Sequence, residues 1–212
     1  MREVFLSADT DRKGERLMKI YTGHGDLGKT NTLSGARPSK SSPLIELNGS
    51  IDEVSASIGY LSSLINKSLG GRNNLEYAKA ELKNLNWIQN ALYHIGIEIS
   101  SDFSKIYIDK NVVQSLESKI DRLDQRMDPL TEFILYSGTA PASYAQMTRA
   151  IVRRCERDYV TLLNGLNAEV PQSYIFMNRL SDYFFVLARY LNKCAGKKEE
   201  TVTKWKQIDR SE

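Results

Sequence analysis

Leu47, Ile51, Val54, Ile58, Leu61 and Ile65 recur at spacings of four, three, four, three and four. Side chains so spaced share one stripe of a helix, which predicts a long helix with a single buried face. A second stripe runs through Leu75, Ala78, Leu82, Leu85, Leu92 and Ile99, with Gln89 and Gly96 in register. A third runs through Val113, Leu116, Ile120, Leu123 and Met127. A fourth helix is expected from about Ala142 to Leu163. The fifth has Pro171 in its first turn, where a missing N–H costs nothing, and Met177, Leu180, Phe184, Leu187 and Leu191 as its stripe. Gly70-Gly71, residues 101–109, Pro129, Gly138 and Gly165 break the pattern between them. No strand alternates with these helices, so the expected fold is all-α, a five-helix bundle.

The N-terminal part reads differently. Residues 1–18 are polar and mixed in charge, and are read as a flexible segment; residues 19–22 are read as a short strand. Residues 23–43 hold Gly23, Gly25, Gly28, Gly35, Pro38 and Pro43, which makes them a loop. About twenty residues without regular structure inside a compact domain point to function. The expected organisation is a flexible segment 1–18, a helical domain 19–196 and a charged, fraying tail 197–212.

A chain of 212 residues fits one domain with a sizeable core. Its 29 basic and 26 acidic residues nearly cancel, so bulk charge does not suggest a nucleic-acid partner, and any arginine cluster has to be read as a local question and not a bulk one. No apolar run is long enough for a membrane span. Glu3, Asp9, Asp11 and Glu15 rule against a secretory or transit signal. Cys155 and Cys194 form neither a disulfide framework nor a zinc spacing, and a cytoplasmic location is expected.

Gly23-His-Gly-Asp-Leu-Gly28-Lys29-Thr30 fits the P-loop pattern letter for letter. That motif works only when a strand enters the loop and a helix leaves it, aiming its N-terminus at the phosphates. Ser34-Gly35 and Pro38 deny such a helix. What remains is either a polyphosphate cradle of amides, a lysine and hydroxyls, or a plain glycine-rich surface loop.

Arg149, Arg153 and Arg157 lie at i, i+4 and i+8 on the fourth helix, with Glu156 on the same face and Arg154 turned away from it. Like charges so placed repel, and guanidinium forks bind phosphate oxygens in pairs. An anion site and a solvated, salt-bridged face are both open. On the fifth helix, Asn178, Asp182, Phe185 and Arg189 form a mixed flank opposite the apolar stripe. Asn178 there could read a base or ribose, and Asp182 could hold an arginine of the fourth helix.

Taken together and in order, Lys19-Ile-Tyr-Thr-Gly-His-Gly-Asp-Leu-Gly-Lys-Thr30, Lys40, Ile51-Asp-Glu-Val-Ser55, Phe133-Ile-Leu-Tyr-Ser-Gly-Thr139, Arg149-Ala-Ile-Val-Arg-Arg-Cys-Glu-Arg157 and Asn178-Arg-Leu-Ser-Asp182 resemble the motifs of the PduO-type ATP:cob(I)alamin adenosyltransferases. The likeness covers residues 19–196. It implies a five-helix bundle with an N-terminal glycine-rich nucleotide-binding loop, assembled as a homotrimer with active sites between subunits. By this resemblance Thr22, Gly23, His24, Gly25, Asp26, Thr30, Asn31 and Lys40 wrap ATP. Arg153, Arg154, Glu156, Arg157 and Asn178 complete the nucleotide site, with Glu156 near the triphosphate and its Mg²⁺. Asp52 and Arg149 match an ion pair between subunits on the corrinoid side. Phe133 matches the aromatic residue beneath the corrin that keeps the base tail off cobalt, and Phe185 adds to that wall.

The implied reaction moves the 5′-deoxyadenosyl group of ATP to the cobalt of reduced cobalamin, with room for a corrinoid reductase as electron source. Three positions depart from the common pattern. Tyr136-Ser137-Gly138-Thr139 stands where Pro-Gly-Gly-Thr is usual, Gln146 replaces a histidine, and Ser55 replaces an asparagine. The competing readings are a P-loop-like ATP-binding phosphotransferase and a non-enzymatic helical module that binds through the arginine face. A di-metal bundle would need two Glu-x-x-His pairs, and the sequence has neither.

Overall fold

The computed structural model describes residues 9–10, 16–17, 21–68, 75–166, 169–203 and 205. Two minimal strands, β1 (Asp9–Thr10) and β2 (Arg16–Leu17), pair antiparallel within the segment expected to be flexible. Five helices follow: α1 (Pro43–Ser68), α2 (Leu75–Ser100), α3 (Lys110–Asp124), α4 (Ala140–Leu166) and α5 (Gln172–Cys194). The expected strand at 19–22 is absent where it is described, at Tyr21 and Thr22; residues 19 and 20 lie outside the described residues.

All six members of the α1 stripe are at most 3% exposed, and each such side chain is worth roughly 2 kcal/mol over its exposed state. The stripe packs against α2 on one side and α4 on the other; α5 then packs on α4, and α3 on α5. Gln89 of α2 donates through Nε2 to Ser55 O (2.9 Å), tying α2 to α1. The largest fully buried side chains, Tyr159, Tyr183, Phe176 and Phe184, come from α4 and α5. Glu81, 2% exposed, accepts from Arg122 (2.8 Å), Asn84 (2.9 Å) and Tyr183 (2.9 Å), so one buried carboxylate joins α2, α3 and α5. A buried charge is retained only when it is paired and hydrogen-bonded in this way.

The helix ends follow their caps. Asp109 caps α3 by accepting from Val112 N (2.9 Å). That helix stops at Asp124, so Met127 packs on the core from the turn beyond it. Pro171 precedes α5 as its cap residue, with extended backbone, and does not occupy the first helical turn. Arg189 is also placed differently from the sequence reading. It is 5% exposed and bound to Glu199, so it belongs to the interior and not to a polar flank. The tail does not fray throughout its described part, because residues 200–202 pair with 133–135. No helix among the described residues is long and apolar enough to cross a membrane.

Candidate active site

No helix follows Thr30; residues 31–42 are turns and extended chain, and α1 begins only at Pro43. The P-loop architecture is therefore absent. The loop instead folds back on itself. Lys29 bridges Ser39, Thr30 N donates to Pro38 O (3.1 Å), and Lys40 N donates to Gly28 O (2.8 Å). Arg37 Nη2 donates to His24 O (3.0 Å). This closure brings the Lys40 ammonium across Gly25, where an added Cβ would stand 2.9 Å from Nζ. The missing side chain thus leaves a lysine beside bare main chain, the composition of an anion cradle. His24, Asp26, Asn31 and Lys40 are exposed, and Thr22 and Thr30 are half-buried. The loop is anchored at its tip: Leu33 N donates to Ser100 Oγ and Ser34 N to Ser100 O, both at 3.0 Å.

The arginines of α4 have separate fates. Arg154 is engaged in the chain, paired with Glu53 of α1. Arg157 lies back on its own helix, donating to Arg153 O (2.9 Å). Arg153 is exposed, and its guanidinium closes no hydrogen bond or salt bridge among the described residues. Glu156 does not quench these charges directly; it accepts from Asn178 Nδ2 of α5 (2.7 Å), whose Oδ1 accepts from Arg179 (2.8 Å). The structure therefore brings Glu156 and Asn178 together, with one carboxylate edge held by an amide. Asp182 is exposed, and partial desolvation by its neighbours pushes its carboxyl above the usual range; Arg179 pulls it back, Glu156 pushes it up again, and Arg153 pulls it back. Neither arginine closes a salt bridge to Asp182, contrary to the expectation that it holds one.

Arg149, half-buried, is held from two sides. Its Nε donates to Gln146 Oε1 (2.9 Å), and its guanidinium lies 4.7 Å from the Tyr136 ring centre. Tyr136 and Gln146 are two of the positions where the sequence departs from the common pattern, and both act on the same arginine. Tyr136 belongs to a loop that also presents Leu130, Leu135 and Phe133, the last 84% exposed. So much apolar surface in one loop marks a place for a ligand or partner. Phe185 has its ring half-buried against the core.

Asp52 is exposed on α1 and does not meet Arg149 within the chain. It lines a cleft of about 500 Å³ between the loop and helices α1 and α2, with Asn31, Asn48, Ser55, Tyr93 and Ser100. Sequence reading missed Asn48 and Tyr93 and took Ser55 only as a motif position, although Asn48, Asp52 and Ser55 share one helical face at i, i+4 and i+7. Among the described residues no hydrogen bond or ion pair joins the glycine-rich loop to the α4 arginines.

The sequence profile of a family described as cobalamin adenosyltransferase matches residues 20–191. The chain is 36% identical over 182 residues to the corrinoid adenosyltransferase of Bacillus subtilis, spanning 84% of this chain and 89% of that protein. It is 33% identical over 208 residues to the corrinoid adenosyltransferase of Bos taurus, spanning 94% and 82%. A solved structure of a variant PduO-type ATP:corrinoid adenosyltransferase from Lactobacillus reuteri, complexed with cobalamin and ATP, is similar with a TM-score of 0.75 and 31% identity. It covers 88% of this chain and 100% of that one.

Proposed function

The chain belongs to the cobalamin adenosyltransferase family, and from that membership we propose how its residues work. The protein is an ATP:corrinoid adenosyltransferase. Its reaction joins the 5′ carbon of ATP to the cobalt of a reduced corrinoid. The cobalt electron pair forms the new bond, the C5′–O bond breaks, and triphosphate leaves with that electron pair. No side chain has to act as nucleophile or general base. The protein must align two reactants and stabilise the charge growing on the leaving group.

The nucleotide half is carried by Thr22, Gly23, His24, Gly25, Asp26, Thr30, Asn31 and Lys40 of the loop, with Arg153, Arg154, Glu156, Arg157 and Asn178. The observation that carries this reading is the unspent guanidinium of Arg153 beside the Glu156–Asn178 pair. A guanidinium that closes no hydrogen bond or salt bridge among the described residues is available to a polyanion. The lone carboxylate of Glu156 also fits Mg²⁺, which binds through one or two carboxylates plus substrate phosphates and not in an all-protein cage; the described residues hold no cluster of three acidic, histidine or cysteine ligands. When bound there, Mg²⁺ would offset charge on the triphosphate.

The corrinoid half is carried by Phe133, Asp52, Arg149 and Phe185. Phe133 excludes the lower ligand from cobalt, which eases reduction to the nucleophilic state. Asp52 and Arg149, apart in one chain, pair across a subunit boundary. That no hydrogen bond or ion pair joins the loop to the α4 arginines among the described residues supports the same arrangement, a homotrimer whose sites are completed by a second copy.

The test mixes protein, ATP, Mg²⁺ and chemically reduced cobalamin. The expected result is the adenosylated absorption spectrum with one intact triphosphate released per corrinoid. Orthophosphate release with an unchanged corrinoid spectrum would sink the assignment.

A further inference from the structure

After α5 the chain turns back at Gly196 (φ +66°) and crosses the loop that carries Phe133. Leu135 N donates to Glu200 O and Val202 N donates to Phe133 O, both at 2.8 Å, around an antiparallel bridge between Ile134 and Thr201. The crossing segment is itself clamped. Arg189 donates from Nε to Glu199 Oε1 (2.7 Å) and from Nη2 to Glu199 Oε2 (3.1 Å), and the same Nη2 reaches Asp128 O (2.9 Å) at the start of the loop. A guanidinium only 5% exposed therefore grips both the strap and the loop it lies on. Lys193 adds a hydrogen bond to Arg126 O (2.7 Å).

The Phe133 ring, 84% exposed, stacks on no other ring among the described residues. Its placement is inherited from its main chain, and the strap holds that main chain. We propose that Arg189 and Glu199 are positioning residues, which clamp residues 197–203 across the loop so that Phe133 keeps its place beneath the corrin. This rests on the role given to Phe133 above.

The test compares Val202→Pro, which deletes the N–H donated to Phe133 O, with Val202→Ala, which keeps it. Val202 is 47% exposed, so the core is spared. Glu199→Ala releases the clamp, and Phe133→Ala is the reference. Each is read by turnover, by KM for ATP and by the visible spectrum of bound cob(II)alamin. Val202→Pro should lower turnover roughly five-fold, the factor of one net hydrogen bond, and Glu199→Ala, which removes two, at least as much, both with KM for ATP unchanged. Both should move the spectrum toward that of Phe133→Ala, while Val202→Ala matches the parent. If Phe133→Ala changes spectrum and turnover but Val202→Pro and Glu199→Ala do not, the clamp is refuted and the role of Phe133 stands. A parental spectrum in Phe133→Ala refutes that role, and the clamp with it.

Discussion

Replacing Arg153 with alanine separates the guanidinium's part in turnover from any part in folding. The side chain is exposed and closes no hydrogen bond or salt bridge among the described residues. Its removal leaves nothing buried unpaired. Substitutions of this kind stay within about 0.5 kcal/mol of the parent's stability, which in a chain of this size moves the melting midpoint by no more than ~2 °C. The catalytic cost has another scale. A donor aimed at charge that grows in the transition state is worth roughly 2.7–4 kcal/mol, a loss of about 10²–10³-fold in turnover. Arg153→Lys keeps the charge and loses the fork, and should fall between the two. The assay follows the adenosylcobalamin spectrum from chemically reduced cobalamin, with ATP below and above saturation, beside a thermal melt of each variant. Near-parental turnover of Arg153→Ala at subsaturating ATP would refute the reasoning.

Gly138 sits at φ +118°, and a Cβ there would lie 2.2 Å from Asn192 Oδ1. Asn192 would have to abandon Thr139 N (2.9 Å) and Ser137 O (2.9 Å), so Gly138→Ala should destabilise by about 3–5 kcal/mol, two hydrogen bonds plus backbone strain; an unchanged urea midpoint would contradict this. Asp182→Asn should behave oppositely at neutral pH. Asp182 is exposed but partly desolvated by its neighbours, which raises the carboxyl, so its small, solvent-screened contribution to stability is full below the ordinary value of 3.8 and is lost as pH rises through the higher folded value. The variant should melt above the parent at pH 7 and converge with it in acid, and a variant that melts lower at pH 7 would show that pairing to Arg179 and Arg153 outweighs desolvation.

The helices were legible because burial on one face leaves a periodic trace. The α1 stripe read from spacing is the stripe found buried, residue for residue. The glycine-rich loop was legible as a loop for a local reason, since Ser34-Gly35 and Pro38 forbid a helix. The strap was not legible: its hold on Phe133 and Leu135 is made by main-chain groups, which any sequence provides. Arg189 was misread for a related reason. An arginine on a helix flank looks polar until a distant partner, here Glu199, makes its burial affordable. The grip of Gln146 and Tyr136 on Arg149 joins two segments ten residues apart, and neither residue type announces it.

Ser100 fastens the far end of the glycine-rich hoop to the end of α2. A chain secured at its feet and at its apex is divided into two short spans, each with few conformations left to lose. The ordering cost is met when the bundle forms and is not repeated at every catalytic cycle. On the nucleotide role proposed for the loop, exchange of spent triphosphate for fresh nucleotide then works against a fixed rim, and a lesion at Ser100, remote in sequence from the loop, would weaken nucleotide capture by loosening that rim.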